Sequence, residues 1–156
     1  MRIRIGGLRS PEVAALLHAH LEHAQSASPR ESMHALDMEG LRCSEITFWT
    51  VWDGANLLGC GALKELDPSH GEIKSMHTAA QYRGRGVAKA LLAHIVGEAR
   101  SRSYNRLSLE TGSMAAFAPA RSLYTRFGFV VCPPFADYIV DPNSVFMTLD
   151  LTRRGR

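Results

Sequence analysis

The sequence predicts one domain, spanning 1–156, of the α/β or α+β class. Three observations predict it. The chain has 156 residues, which suits one domain of ordinary size. Hydrophobic residues make up 46% and charged residues 21%, as in a soluble globular protein with a real core. The hydrophobic period also changes along the chain, and it predicts a strand, two helices, three strands, a helix, a strand, a helix and two strands.

The first part of the chain contains a short strand and two helix starts. Isoleucine alternates with arginine over 2–5, which predicts a strand. A helix begins at 10–12, where a serine cap precedes a proline and an acidic residue. A second start with the spacing of a capping box follows at 28–31, and the helix after it carries His34 and Asp37.

A meander of three strands is predicted next. Its first segment is rich in β-branched and aromatic residues, which favour strands. The segments between the strands contain glycine, aspartate and proline, which are typical of turns. The strands cover 46–52, 57–66 and 72–78, and the turns fall at 53–54 and 68–71.

The pattern changes to a helical period after residue 86. Val87, Leu91, Ile95 and Ala99 share one face of a long helix that ends near Arg102. The elements predicted after it are a strand at 107–111, a helix over 115–127 that Pro119 interrupts and Gly128 caps, and strands at 129–132 and 145–151.

Charge and cysteine content exclude several classes of protein. The formal net charge is +3, and the basic residues are dispersed, whereas a nucleic-acid binder usually shows a dense basic stripe. Cys43, Cys60 and Cys132 are odd in number and lack CxxC spacing, which argues against a disulfide framework or a zinc site. No apolar run approaches the ~18 residues of a membrane span. We therefore expect a cytoplasmic protein without a metal, a nucleic-acid partner or a membrane anchor.

The most informative segment is 76–89. A strand there leads into a glycine-rich turn that opens a helix, and Arg83, Arg85 and Lys89 add positive charge. The N–H groups of a first helical turn favour an anion, and glycine lets a ligand approach the backbone. The dinucleotide-binding and P-loop glycine patterns are absent. The segment predicts a pyrophosphate site; the alternative is a helix start that needs glycine only for a tight turn.

Two motifs in the second half of the chain resemble those of one family. The segment 83–88 matches the [QR]xxGx[GA] signature of the GCN5-related N-acetyltransferases (GNAT), and 120–129 resembles their AxxLYxxxGF segment. The resemblance covers the chain from Ile3 to Leu151. Within the family, the chain also looks like a group of bacterial acetyltransferases of unassigned substrate. It implies a mixed, mostly antiparallel central sheet flanked by helices. It also implies an acetyl-CoA cleft between the fourth and fifth strands.

The resemblance implies a role for each part of the glycine-rich segment. Backbone groups of the strand would flank the pantetheine, and one N–H there would polarise the thioester carbonyl as an oxyanion-hole donor does. The turn and the start of the helix would hold the pyrophosphate. The residues expected to bind the cofactor are Met76, His77, Thr78, Arg83, Gly84, Arg85, Gly86, Val87, Ala88 and Lys89.

Two catalytic roles follow from the same resemblance. Glu72 lies four residues before Met76, the spacing of the catalytic glutamate in the histone-acetylating branch, and is the candidate base. The alternative is a solvated glutamate beside a turn. His77 and Glu110 are further candidate bases, and strand alternation predicts that His77 faces away from Glu72. Tyr124 matches the family tyrosine that protonates the departing thiolate.

The acceptor is expected to be a small-molecule amine. His34, Asp37, Phe135 and Tyr138 would line its site, with ordinary solvated surface as the alternative. A homodimer through the last strands is also possible by analogy with the family. One departure from the family favours a second function, a non-catalytic acyl-CoA-binding or regulatory module: Phe117 stands where many members have a cofactor-binding asparagine.

Overall fold

The computed structural model describes residues 1–27 and 40–152 as one sheet with three α-helices. The strands are β1 (Arg2–Ile5), β2 (Ile46–Asp53), β3 (Asn56–Asp67), β4 (His70–Thr78), β5 (Arg106–Gly112), β6 (Val130–Cys132) and β7 (Ser144–Asp150). The helices are α1 (Pro11–Ala27), α2 (Val87–Ser101) and α3 (Ala118–Arg126). Short 3-10 turns cover Gly40–Arg42, Ala80–Tyr82 and Ala115–Phe117.

The seven strands form a single mixed sheet in the order β1-β2-β3-β4-β5-β7-β6. All neighbouring strands are antiparallel except β4 and β5, which are parallel. The helix α2 joins β4 to β5, as a parallel connection requires. This architecture confirms the α+β class that the sequence pattern predicted and the mixed, mostly antiparallel sheet that the family resemblance implied.

Three local predictions need correction or fall outside the description. β4 begins at His70, so the predicted turn at 68–71 is shorter than expected. The predicted helix over 115–127 is a 3-10 turn followed by α3, and Pro119 lies in the first turn of α3, where its missing N–H has no helical partner to lose. The second predicted helix, with His34 and Asp37, lies outside the described residues.

Two apolar clusters cover the two faces of the sheet. On one face, α2 buries its apolar side, including Leu91 and Ile95, against residues such as Leu63 and Ile73 of the sheet. On the other face, α1 packs onto a smaller cluster that includes Cys60 and Ala62 of β3. The two faces are called the α2 face and the α1 face below. Successive side chains of a strand point to opposite faces of the sheet. The register of β4 therefore decides which of its side chains lie on the α1 face and which lie on the α2 face.

Candidate active site

β4 and β5 separate part-way along their length and leave a gap in the sheet. Their parallel pairing covers only the pairs from His70↔Arg106 to Ile73↔Leu109. Beyond Ile73 the backbone of β4 borders a cavity of about 1010 Å³. Backbone N–H and C=O groups at such an edge need hydrogen-bond partners. The gap can therefore hold an extended ligand that bonds to the edge of β4.

Most of the residues expected at the site line this one cavity. Those that line it are Glu72, Met76, His77, Thr78, Arg83, Gly84, Gly86, Val87, Ala88, Lys89, Tyr124 and Tyr138, together with Glu110 and Phe117. Arg85 stacks its guanidinium on the ring of Tyr82, 5.5 Å from the ring centre. Phe135 packs against the rings of Tyr138 and Phe146, with ring centres 5.2 and 5.9 Å apart. Phe135 thus packs against Tyr138, which lines the cavity, and does not line the cavity itself.

The N-terminus of α2 opens onto the cavity and suits an anion. Gly86 is its N-cap, with a left-handed φ of 81°, and Gly84 has a φ of 78°. A Cβ added at either glycine would meet no atom within 4 Å, so the backbone is open to a ligand there. The free N–H groups of the first turn and the cations of Arg83 and Lys89 all favour negative charge.

A β-bulge at Ser75 sets the alternation of β4. Lys74 pairs with Ala62 and His77 pairs with Cys60, so one extra residue is accommodated between them, and Ser75 has a left-handed φ of 56°. Cys60 and Ala62 both belong to the α1 face. His77 therefore lies on the same face as Lys74, and so on the same face as Glu72. The prediction that His77 faces away from Glu72 is wrong, because strict alternation does not hold across a bulge.

Glu72 is buried, not solvated: its exposed fraction is 3%. Its Oε2 accepts a hydrogen bond of 2.6 Å from the Tyr138 hydroxyl and one of 3.1 Å from the Lys74 ammonium. Lys74 was missed in the sequence analysis, although its place two residues after Glu72 in a strand puts the two side chains on one face. The alternative interpretation of Glu72 as a surface residue is excluded by this burial.

A pair of histidines joins α1 to β4 at the cavity wall. The Nδ1 atoms of His20 and His77 lie 3.2 Å apart, so one ring donates and the other accepts. Burial lowers the pKa of both rings to about 4; His23 lowers the pKa of His20 further, and His20 and Arg83 do the same for His77. The ring of His23 lies next to His77, with centres 6.2 Å apart. His20 and His23 were missed because only the fold brings α1 to β4.

Tyr124 lies in α3 and is 7% exposed. Burial raises the pKa of its phenol to about 12, so it keeps its proton at neutral pH. Its ring contacts Phe129 edge-on, with centres 5.7 Å apart. Glu110, on β5, accepts a hydrogen bond of 2.7 Å from Ser144. The cavity thus contains a neutral phenol as a proton donor and two carboxylates as proton acceptors.

Comparison with known proteins identifies the family. The sequence model described as Acetyltransferase (GNAT) family matches residues 13–129, more than half of the chain. The chain belongs to the GNAT acetyltransferase family. This GNAT protein is 59% identical to the Bacillus subtilis (strain 168) uncharacterized N-acetyltransferase YsnE, over 97% of this chain and 100% of that one. It is 50% identical to the Escherichia coli (strain K12) uncharacterized N-acetyltransferase YedL, over 96% and 94%.

A solved GNAT structure shares the fold. The crystal structure of a GNAT family acetyltransferase from Elizabethkingia anophelis with acetyl-CoA bound superposes with a TM-score of 0.69 at 18% identity, covering 96% of this chain and 97% of that one. These matches confirm the GNAT resemblance and the enzyme class, an N-acetyltransferase.

Among the helices in the described part of this GNAT protein, none is long and apolar enough to cross a membrane. Within the same residues, no group of three or more metal-ligating side chains is placed to hold an ion.

Proposed function

We propose that this protein transfers the acetyl group of acetyl-CoA to the amine of a small molecule, by direct attack of the amine on the thioester. One observation carries the proposal. A single cavity joins the anion-binding start of α2 to a buried carboxylate, Glu72, and a buried phenol, Tyr124. Acyl transfer from a thioester to an amine requires these three components: a cofactor site, a proton acceptor and a proton donor.

Acetyl-CoA fits the open parts of the site. Its pyrophosphate would lie on the backbone of 84–89, where Gly84 and Gly86 leave space and Arg83 and Lys89 supply positive charge. Its pantetheine would run in the gap beside 76–78, on the edge of β4 that β5 leaves uncovered. A backbone N–H of that segment would bind the carbonyl oxygen as negative charge develops on it.

The proposed chemistry assigns one proton to each catalytic residue. The amine nitrogen bonds to the carbonyl carbon, and the carbon–sulfur bond breaks. Glu72 accepts the proton that the amine loses, and Tyr124 donates a hydrogen bond, then its proton, to the departing sulfur. Because burial raises the pKa of Tyr124 to about 12, the phenolate is the less stable form at neutral pH and takes up a proton again after the transfer. His77 and Glu110 line the same cavity and are the alternative bases.

The acceptor would enter on the α1 face, at the end of the cavity that holds Glu72. Helix α1 supplies His20 and His23 to the cavity wall beside His77, and the segment between β6 and β7 supplies Tyr138 beside Glu72. Walls on two sides favour a small molecule over a protein segment. The two carboxylates, Glu72 and Glu110, suit an amine.

One observation favours the second candidate, a non-catalytic acyl-CoA-binding module. Phe117 lines the cavity where many GNAT members have an asparagine, and its ring packs against His23 with centres 5.4 Å apart. A phenyl ring cannot replace an amide that binds the cofactor. This candidate predicts tight acetyl-CoA binding without turnover.

The two candidates are separated by one experiment. The protein is incubated with acetyl-CoA and a panel of small amines, amino acids and short peptides, and free CoA thiol is followed with a thiol reagent. Acetyl-CoA binding is measured in parallel by calorimetry. Thiol release that depends on an amine supports the transferase. Binding with no release for any amine supports the module and refutes the proposed transfer.

A further inference from the structure

Three polar groups close a triangle on the α1 face of the cavity. The Tyr138 hydroxyl donates to Glu72 Oε2 at 2.6 Å, the Lys74 ammonium donates to Tyr138 Oη at 2.9 Å, and it also donates to Glu72 Oε2 at 3.1 Å. The Glu72 and Lys74 side chains are only 3% and 8% exposed. Each of the three side chains therefore restricts the positions of the other two, which favours one rotamer of Glu72.

The direction of each hydrogen bond in the triangle is fixed. Burial and the Glu72 carboxylate raise the pKa of Tyr138 well above its ordinary value, so the phenol remains protonated and acts as the donor to Glu72. Lys74 has only N–H donors. Both bonds to the carboxylate end on Oε2. The other oxygen, Oε1, is then the atom that can receive a proton from a group in the cavity.

Tyr138 is held in this position by aromatic packing. It lies between β6 and β7, and its ring contacts Phe135 and Phe146 with centres 5.2 and 5.5 Å apart. The Lys74 ammonium lies 5.6 Å from the centre of the same ring. The ring is thus fixed independently of its hydroxyl, so removing only the hydroxyl leaves the packing in place.

We infer that Tyr138 and Lys74 are positioning residues for acetyl transfer: they hold Oε2 of Glu72 so that Oε1 receives the proton of the acceptor amine. This inference rests on the proposed function, because it assigns a geometry to the base of that reaction. It also gives the buried ion pair a role. A buried carboxylate–ammonium pair adds little net stability compared with apolar residues, since its desolvation offsets its attraction.

The test is Tyr138→Phe, with Tyr104→Phe as the matched control. The Tyr104 hydroxyl also donates to a carboxylate, Glu65 Oε1 at 2.8 Å, but neither residue lines the cavity. The Tyr138 hydroxyl lies between the Glu72 carboxylate and the Lys74 ammonium, and the Tyr104 hydroxyl likewise interacts with the Glu65 carboxylate and the Arg102 guanidinium. Both variants lose an anionic and a cationic partner of one hydroxyl and should lose a similar amount of thermal stability. Only Tyr138→Phe should lower kcat, by about 10-fold or more, a part of the 10²–10⁴ that a placed base contributes. The acetyl-CoA Kd should stay unchanged in both.

Two further readouts separate positioning from a structural role. The acid limb of the kcat–pH profile should move to higher pH in Tyr138→Phe, because a carboxylate that loses a hydrogen bond is more easily protonated. The charged or titratable groups around Glu72 are Lys74, Tyr138, His70 and Glu110, together with Lys64, its register partner on β3, and Asp137, which lines a small pocket with Lys64, Glu72 and Tyr138. In a Glu72→Gln background, Tyr138→Phe should lower kcat no further, since both changes act through one carboxylate.

Each other outcome decides against a stated part of the reasoning. A Tyr138→Phe variant with the kcat and pH profile of the wild type overturns the positioning role and leaves the proposed function intact. Equal falls in kcat in the wild-type and Glu72→Gln backgrounds also overturn it, because the hydroxyl would then act independently of Glu72. Wild-type protein that binds acetyl-CoA but releases no thiol with any amine refutes the proposed function, and the positioning role with it.

Discussion

The start of α2 offers the sharpest test of the cofactor site. Gly86→Glu places a carboxylate at the N-cap of α2, where we propose that the pyrophosphate lies. Gly86 has a φ of 81° and lines the cavity. A side chain added at this position would therefore extend from backbone that borders the proposed pyrophosphate site. We expect the variant to fold and to bind acetyl-CoA much more weakly than the wild type.

The size of the effect follows from strain and charge. A Cβ at Gly86 meets no atom within 4 Å, so the fold loses only the cost of a left-handed residue, about 1–2 kcal/mol. A carboxylate about 5 Å from a phosphate charge, at an effective dielectric of about 20, is repelled by about 3 kcal/mol before screening by salt. A net loss of about 1–3 kcal/mol corresponds to about a 5- to 150-fold rise in Kd.

Gly97→Glu provides the matched control on the same helix. Gly97 is exposed, and an added Cβ there also meets nothing within 4 Å. The residue lies about 16 Å along the helix from Gly86, beyond the Debye length of about 8 Å in physiological salt. Calorimetric titration with acetyl-CoA should give a wild-type Kd for Gly97→Glu. A wild-type Kd for Gly86→Glu would refute the placement of the pyrophosphate.

Three further predictions concern Tyr124, the histidine pair and Gly97. Tyr124→Phe should lower kcat by about 100-fold in the thiol-release assay and leave the acetyl-CoA Kd unchanged, because it removes only the proton donor. His20 and His77 have pKa values near 4 in the fold, against 6.5 when unfolded, so stability is complete above pH 6.5 and is lost as pH falls towards 4. Urea melts should show a loss of about 2 kcal/mol per pH unit in that window, because each ring contributes at most about 1.4 kcal/mol per unit and the partial exposure of His77 reduces its share. His20→Gln should make the loss less steep. Gly97→Ala should raise the free energy of unfolding by about 0.5–1 kcal/mol in the same melts, because alanine is the better helix former.

The features that the sequence predicted well depend on local chemistry. The start of α2 is set by glycines and by the return of helical period at Val87, all within a few residues. The sheet strands carry a period-2 pattern that can be recognised without knowing their neighbours. The family motifs lie in these same segments, so the fold and the GNAT assignment could both be predicted from the sequence.

The features that the sequence did not predict depend on distant pairing. The bulge at Ser75 exists because β4 adjusts its register against β3, and no residue type marks it. Tyr138 reaches Glu72 across 66 positions of sequence, and His20 reaches His77 across 57. Such contacts require the strand order and the packing of α1, which local patterns do not contain. The catalytic and substrate roles of the site residues stay predictions.

The gap in the sheet has a thermodynamic consequence. In the part of the chain that the structure describes, the strands β1-β2-β3-β4 pair with β5-β7-β6 through four register pairs, from His70 to Ile73. A ligand that bonds to both sides of the gap adds RT ln(1 + [L]/Kd) to stability, about 1.4 kcal/mol for each tenfold excess over Kd. Amide hydrogens of 74–78 should then exchange more slowly as acetyl-CoA is added. In a cell, the stability of the pairing between the two halves of the sheet would then rise and fall with the concentration of free acetyl-CoA.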